Sequence, residues 1–481
     1  MVRALAIDVG TTSVRTALVD ESGTVSHAHQ QGLTIATPQP GEVELDANEI
    51  GRVVLELAAR TLGDGGECDV VGVTTQRATT ILFDAATGAP VGPALGWQDL
   101  RTVIDCLVLQ GVGLHLAPNQ SATKARWLVE RAGRPQSELR MATVETWVTY
   151  LLTEGRSFVT DRSNAAVTGL VGVDARQWDP ATLELLDLDA GLLANIVDTM
   201  GDHGRATALA GSPPITALIG DQPASLFGQS CVHAGAKITF GTGAMLDLVR
   251  GGEGPAAMTR FASGCFPVVV ASRGGVPTWG VEAIMLSAGA CIEWLKDLGL
   301  IDEPSECEAL AESVSDDGVT FVPALWGLGT PWWDFGARGG FFGLTRGTTR
   351  AHLVRAVLVG IAERGADLVD AARAETGDAL EEIRVDGGMT ANGFLLQCLA
   401  DASGARVAVS SEREATTRGA GLMALVSSGH LTLDDVEGLW QPARVFHPRT
   451  TDPERTTQRA RWRSVVARVE RTIPDLSSIA F

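Results

Sequence analysis

One local pattern occurs twice in this chain and constrains its fold more than any other: a β-like run, a glycine–threonine turn, and a second β-like run. Residues 3–8 (RALAID) end at Asp8, Gly10-Thr11-Thr12-Ser13 turn, and Val14 to Val19 resume the β pattern. Later, Lys237 to Phe240, Gly241-Thr242-Gly243 and Met245 to Val249 repeat the plan. A turn of this composition presents backbone N–H groups and hydroxyls on one concave surface, which suits phosphate oxygens. An ordinary hairpin uses the same residues. Neither turn is a Walker A loop, because no G-x-x-x-x-G-K-[ST] occurs in the chain. The repetition predicts a duplicated domain whose halves close on a shared phosphate chain. The 481 residues agree, since two domains of roughly 150–250 residues are the default at this length.

Between the two hairpins lies ITALIGDQPASLFGQ (215–229), an apolar run ending at Gly220 with Asp221-Gln222-Pro223 at a helix start. Asp is favoured there because its carboxylate accepts unpaired amide hydrogens, and Pro suits a first helical turn. The segment alone therefore fits a capped helix, or a carboxylate base beside a phosphate-binding turn at the hinge between two domains. Strand-end aspartates such as Asp8 and Asp221 stand where open α/β sheets place their chemistry. The domains are expected to divide near Val232, as 1–232 and 233–481.

Periodicity fills in the rest as α/β. Apolar spacing predicts helices over 49–63, 121–133, 142–153 and 351–376, and strands over 69–75 and 381–386. Asp386-Gly387-Gly388 leads into a helix over 392–402, and ARVAVS (405–410) reads as the final strand. Gly419-Ala420-Gly421, in a helix over 412–427, would let that helix approach a flat ligand or a neighbour closely. The glycine- and aromatic-rich tract 320–347 reads as a structured loop near the cleft, its aromatics packing rather than stacking on substrate.

Composition excludes several function classes. A net charge of −20 repels nucleic acid and anionic lipid surfaces. The basic run Arg455 to Arg471 reads as the solvated face of a C-terminal helix. Seven widely separated cysteines, with no C-x-x-C pair, argue against a disulfide framework or zinc site and for a reducing compartment. No apolar stretch reaches the roughly 18 residues of a membrane helix. The N-terminus runs straight into a strand with no signal-peptide architecture, so a cytoplasmic protein is expected.

Eight stretches then stand in one order: IDVGTTSVR (7–15), GVTTQRATT (72–80), WQDLRT (97–102), GDQPASLFGQ (220–229), ITFGTG (238–243), VPALWGLGTPWWD (322–334), GLTRGTTRAH (343–352) and RVDGGMTANGF (384–394). In these the chain resembles the FGGY family of carbohydrate kinases, most of all its glycerol kinase branch, over essentially its whole length. The resemblance implies duplicated ribonuclease H/actin-like domains with ATP and Mg²⁺ in the cleft between them. It implies Asp221 as catalytic base and Asp8 near the metal. Thr11, Thr12, Ser13, Arg15, Gly241, Thr242 and Gly243 match phosphate-side positions, and Gly387, Gly388 and Asn392 border the adenosine. Arg77, Trp97 and Gln222 match the substrate pocket.

Three pocket positions depart from the glycerol kinase pattern. Ala78 stands where that branch has Glu, Asn119 where it has Tyr, and Leu286 where it has Phe. Together they imply a larger, differently polar pocket for a polyol or sugar other than glycerol, of four or five carbons. The alternatives are glycerol itself, or a non-catalytic sensor of sugar or nucleotide, against which the retained Asp8, Asp221 and both hairpins argue. A homodimer or homotetramer is the assembly the resemblance implies.

Overall fold

In the computed structural model, which describes residues 2–479, strand β1 (Arg3–Val9) turns back antiparallel on β2 (Ser13–Asp20). β3 (Val25–Gly32) continues the meander, while β4 (Val70–Thr75) and β5 (Ile215–Gly220) add in parallel on the other side of β1. The sheet order is β5-β4-β1-β2-β3. All six residues of β4 are buried, as expected for a parallel strand covered on both faces. Helix α1 (Ala47–Gly65) packs on one face, capped by Asp46, whose carboxylate accepts the Asn48 N–H at 2.8 Å.

The second half repeats this arrangement. β6 (Gly235–Phe240) and β7 (Ala244–Val249) form the antiparallel hairpin. β8 (Phe266–Arg273) and β9 (Val276–Met285) extend it, β9 pairing with β7. β10 (Glu382–Asp386) and β11 (Arg406–Ser410) add in parallel beyond β6. One more strand, β12 (Pro442–Phe446), pairs antiparallel with β11, so 405–410 is not the final strand. β12 begins at a proline and is exposed at four of its five positions. It therefore lacks the apolar alternation that would reveal it.

Helices fix the two sheets to one another. α2 (Asp221–Gly228) leaves the end of β5, and α3 (Gly289–Asp297) follows β9. The 27-residue α4 (Arg350–Thr376) and α5 (Gly393–Ser403) cover the second sheet. α6 (Ala415–Ser427) belongs by sequence to the second half, yet Leu422 and Met423 pack with Ala4, Ala6 and Ile219 of the first sheet. It crosses α2 at glycine contacts on both sides. A Cβ on Gly228 would lie 1.8 Å from the Ala415 carbonyl oxygen, and one on Gly419 1.8 Å from that of Ala224. The close approach at Gly419 and Gly421 is therefore to neighbouring chain, Ala224 and Val19, rather than to a ligand.

α7 (Asp452–Val466) carries the C-terminal basic run as far as Arg463, while Arg468 and Arg471 lie in the turn beyond its end. Arg461 and Arg463 are exposed as anticipated, but Arg459 and Trp462 are buried. Arg459 donates to Glu363 Oε2 at 2.6 Å and Asp370 Oδ2 at 2.9 Å, and the Trp462 indole donates to Asp367 Oδ2 at 3.0 Å. The run is solvated on one face only; the other locks α7 onto α4. Within 320–347, Thr320–Val322 pairs with Gly340–Phe342, and Phe321 stacks on Trp294 and packs on Phe341. Among the described residues no helix is long and apolar enough to cross a membrane.

Candidate active site

Asp221 is the first residue of α2, and Gly220 is the cap. The Gly220 N–H is taken by Ser163 Oγ at 2.8 Å. The aspartate's Oδ1 accepts the Gln222 N–H at 2.8 Å and lies 3.3 Å from Arg77 Nε. Its Oδ2 makes no hydrogen bond among the described residues, and 30 % of the side chain is exposed. Burial raises the pKa of this carboxyl, while the Arg77 guanidinium and the Gln222 N–H oppose that shift.

Arg77 follows β4 and passes directly over Gly220, where a Cβ would meet its Cδ at 2.6 Å. Its Nη2 donates to Glu282 Oε2 at 2.5 Å, and its Nη1 is buried with no partner among the described residues. The next residue, Ala78, is buried at φ +63°, and its carbonyl accepts from Ser121 Oγ at 3.0 Å. Trp97 is fixed at three points. Its indole N–H donates to Thr11 Oγ1 at 3.0 Å, its backbone N–H to Thr79 Oγ1 at 3.2 Å, and its carbonyl accepts from buried Lys124 at 3.2 Å. Desolvation lowers the Lys124 pKa to about 7. Gln222 Oε1 accepts from Lys237 Nζ at 2.6 Å. Asn119 is exposed in the turn before the helix Ala122–Ala132. Leu286 sits behind the second hairpin, its carbonyl 3.2 Å from where a Cβ on Gly243 would be.

The hairpin turns face solvent: Thr12, Gly241 and Thr242 are exposed, Thr11, Ser13 and Gly243 half-buried. Helix α3 anchors the second turn. Ala288 and Ala290 N–H groups donate to the Thr242 carbonyl at 2.9 and 3.0 Å, and the Gly289 N–H to that of Gly241 at 3.0 Å. Gly387 crosses this hairpin closely, and Gly388 beside it is open. Asn392 caps α5 by accepting the Leu395 N–H at 2.9 Å. Asp8 is buried, and its Oδ2 accepts from Thr417 of α6 at 2.9 Å. Burial, opposed by the Thr417 bond and Arg15, pushes its pKa up to about 6, and the Asp221 charge adds to the rise. Arg15 pairs with Glu414 at the start of α6 and also bonds Gln30 Oε1 at 2.8 Å.

The structure thus brings Asp8, Asp221, Arg77 and Gln222 together, with Trp97 held on the first hairpin turn and Gln222 held on the first strand of the second hairpin. Four charged residues in the same place escape a motif reading: Lys237, Asp247, Glu282 and Glu414. The first three are lone charges inside otherwise apolar runs (KITF, MLDLV, GVEAIM), and a lone charge in a strand interior is the signal of a buried pair.

The donor set suits ATP and Mg²⁺. Asp8 keeps one carboxylate oxygen without a hydrogen bond among the described residues, and Asp221 lies near enough to repel its charge. A hard cation bound through one carboxylate and the phosphates would relieve that repulsion, which is the usual Mg²⁺ arrangement. The duplicated sheets, the two solvent-facing glycine hairpins and the strand-end carboxylates define an ATP-dependent phosphotransferase of ribonuclease H/actin-like fold. Within that class the family is specific. Residues 3–228 match the N-terminal domain, and residues 236–428 the C-terminal domain, of the FGGY family of carbohydrate kinases. The chain belongs to that family. It is 38 % identical to a glycerol kinase of Rhodopirellula baltica over 98 % of this chain and 92 % of that one. It is 40 % identical to a glycerol kinase of Alkalilimnicola ehrlichii over 96 % and 97 %. The Plasmodium falciparum glycerol kinase solved with ADP superposes with a TM-score of 0.91 at 28 % identity, covering 98 % of both chains. A Lactobacillus acidophilus xylulose kinase, 19 % identical, shares the fold with a TM-score of 0.86 over 98 % of both.

Proposed function

We propose that the chain transfers the γ-phosphoryl group of ATP to a hydroxyl of a small polyol, with Asp221 as general base and Arg77 as the principal substrate ligand. One observation carries the reading: a carboxylate oxygen with no partner stands beside a buried guanidinium whose Nη1 also lacks one. A polyol supplies what both need, one hydroxyl accepting from Nη1 and a neighbouring hydroxyl donating to Asp221. As the new O–P bond forms and the bond to the ADP oxygen breaks, the hydroxyl proton passes to Asp221. The N–H groups of Thr11, Thr12, Thr242 and Gly243 would hold the phosphate oxygens, those of Gly10 and Gly241 being used within the turns, and Trp97, fixed by Thr11, Thr79 and Lys124, walls the pocket. Mg²⁺, held through Asp8, would neutralise charge between the phosphates. Gly388 and Asn392 border the adenosine in this reading. The substrate side comprises 1–232 and the nucleotide side 233–481, except that α6 returns to buttress the first sheet.

The substrate class follows from the pocket. Ala78, next to Arg77, offers only a methyl group, and the nearby carboxylate Glu282 is taken up by Arg77 Nη2, so the hydroxyls face Arg77 Nη1 and Asp221 without a further carboxylate at position 78. A site selects among polyols through its buried polar partners, so a four- or five-carbon polyol is preferred to glycerol. An ATP-coupled screen of glycerol, erythritol, xylitol, ribitol and the pentuloses tests this. A higher kcat/KM for glycerol than for every larger compound would overturn the size assignment. Glycerol kinases of 36–40 % identity make glycerol the second reading.

A further inference from the structure

Six residues form a line of polar contacts that joins the two halves. Three come from the second half, where the strand register sets Lys237 opposite Asp247 and Asp247 opposite Glu282 on β6, β7 and β9. Three come from the first half: Arg77, Asp221 and Gln222. Glu282 Oε2 meets Arg77 Nη2 at 2.5 Å, and Arg77 Nε lies 3.3 Å from Asp221 Oδ1. Gln222 Oε1 meets Lys237 Nζ at 2.6 Å, and Lys237 Nζ meets Asp247 Oδ2 at 2.8 Å. Among the charged members only Asp221 is appreciably exposed, at 30 % against 11 % for Arg77, 8 % for Glu282, 2 % for Asp247 and 0 % for Lys237.

These contacts pose a competition at Arg77. A guanidinium beside a lone carboxylate swings into a bidentate pair with it. That pair would occupy both oxygens of Asp221 and spend the donors a substrate needs. Glu282 draws the fork the other way, with the shorter contact on its side, and Nη1 is left without a partner.

We propose that Glu282 is the positioning residue of the substrate site. Held in register by the Asp247–Lys237 pair, it keeps Arg77 from closing on Asp221 and aims Nη1 at the substrate. The inference rests on the reading of Asp221 as base and Arg77 as substrate ligand. Because Glu282 and Arg77 lie on opposite halves, the substrate's ligand is aligned only when the halves meet. The charge environment agrees. Glu282 faces Arg77 across the cleft, with Asp247 and the neutral Phe266 on the flanking strands and Lys237 and Asp221 one step further. Burial, opposed by Arg77 and reinforced by Asp247, pushes its pKa up to about 7. Glutamine therefore imitates its protonated form while keeping an oxygen for Nη2.

The test is steady-state kinetics on the full chain, with glycerol, erythritol and ribitol as probes and the best of the three carried forward. Glu282→Ala should raise the polyol KM at least ~10-fold, the scale of effect expected when an orienting clamp is misplaced. The MgATP KM should stay within threefold of wild type. Glu282→Gln should restore the polyol KM to within threefold. An unchanged polyol KM in Glu282→Ala, equal rises in both KM values, or a Glu282→Gln as impaired as the alanine variant would each overturn the inference. If the alanine variant does not accumulate, Glu282→Asp replaces it: one methylene shorter, it should raise the polyol KM, and a wild-type value would refute the role. Arg77→Ala separates the layers. If it raises the polyol KM while Glu282→Ala does not, only the positioning role falls. If it does not, the substrate-ligand reading falls and takes the positioning role with it.

Discussion

Replacing Gly387 by alanine should damage nucleotide binding through the backbone, without removing any functional group. Gly387 sits at φ 93°, ψ 170°, a region occupied essentially by glycine and costing other residues about 1–3 kcal/mol. A Cβ there would lie 2.3 Å from the Phe240 carbonyl oxygen, 2.8 Å from its carbon and 2.9 Å from its nitrogen. These are backbone atoms of β6, held by pairing to β7 and β10, so they cannot swing aside like the end of a long side chain. Overpacking of this kind adds about 1–3 kcal/mol. The sum, roughly 2–6 kcal/mol, is a large share of a typical stability of about 5–15 kcal/mol. At about 2–4 °C per kcal/mol for domains of this size, the unfolding midpoint should fall by at least ~4 °C. The strain is relieved by moving the strand end that precedes Gly241, so the MgATP KM should rise several-fold while the polyol KM changes less. Circular-dichroism melting and two-substrate kinetics report both. Gly388→Ala is the internal control, since its Cβ meets nothing within 4 Å and its φ is not positive. If Gly387→Ala melts as Gly388→Ala does, or binds MgATP as the wild type does, the packing argument is wrong.

Two further outcomes are expected. Asp8 has its folded pKa raised to about 6 from 3.8, so the folded state binds the proton more tightly and loses stability as pH rises through that interval. Asp8→Asn should therefore stabilise the metal-free protein by roughly 3 kcal/mol at about pH 7.5, with a gain that shrinks towards pH 4, while abolishing turnover. Thermal melts of both proteins at the two pH values check this, and a gain that persists at low pH would refute it. Arg459→Ala should cost about 3–5 kcal/mol, because Glu363, Asp367 and Asp370 lose their buried partner. Both KM values should remain at wild type in the folded fraction, as measured by urea denaturation alongside kinetics.

The parts of the site legible in the sequence are those that repeat or stand in an unbroken stretch. The hairpins at Gly10–Ser13 and Gly241–Gly243 could be read because glycine and threonine interrupt β runs twice. Asp221 could be read because a polar helix start follows an apolar strand end. What stayed hidden depends on register and on long-range packing. Nothing local says that positions 237, 247 and 282 become neighbours; two strand pairings have to form first. Thr417 and Glu414 reach Asp8 and Arg15 from some four hundred residues away, because α6 returns to the first sheet. The glycines of α6 illustrate the ambiguity: the same small residues serve a ligand or a helix crossing, and here Gly228 and Gly419 make the crossing. Arg459 misled for a similar reason, since a basic helical face looks solvated until the acidic face of α4 is placed against it.

The central claim is that Asp221 takes the proton from the substrate hydroxyl. The most direct measurement is turnover by Asp221→Asn, which preserves the side chain's shape and an acceptor for the Gln222 N–H. Calorimetric titrations with MgADP and with the preferred polyol would run alongside it. General-base catalysis is worth about 10²–10⁴-fold, so kcat should fall by at least ~100-fold while both ligands bind within a few-fold of wild type. Turnover above about a hundredth of wild type, with binding intact, would show that the proton goes elsewhere.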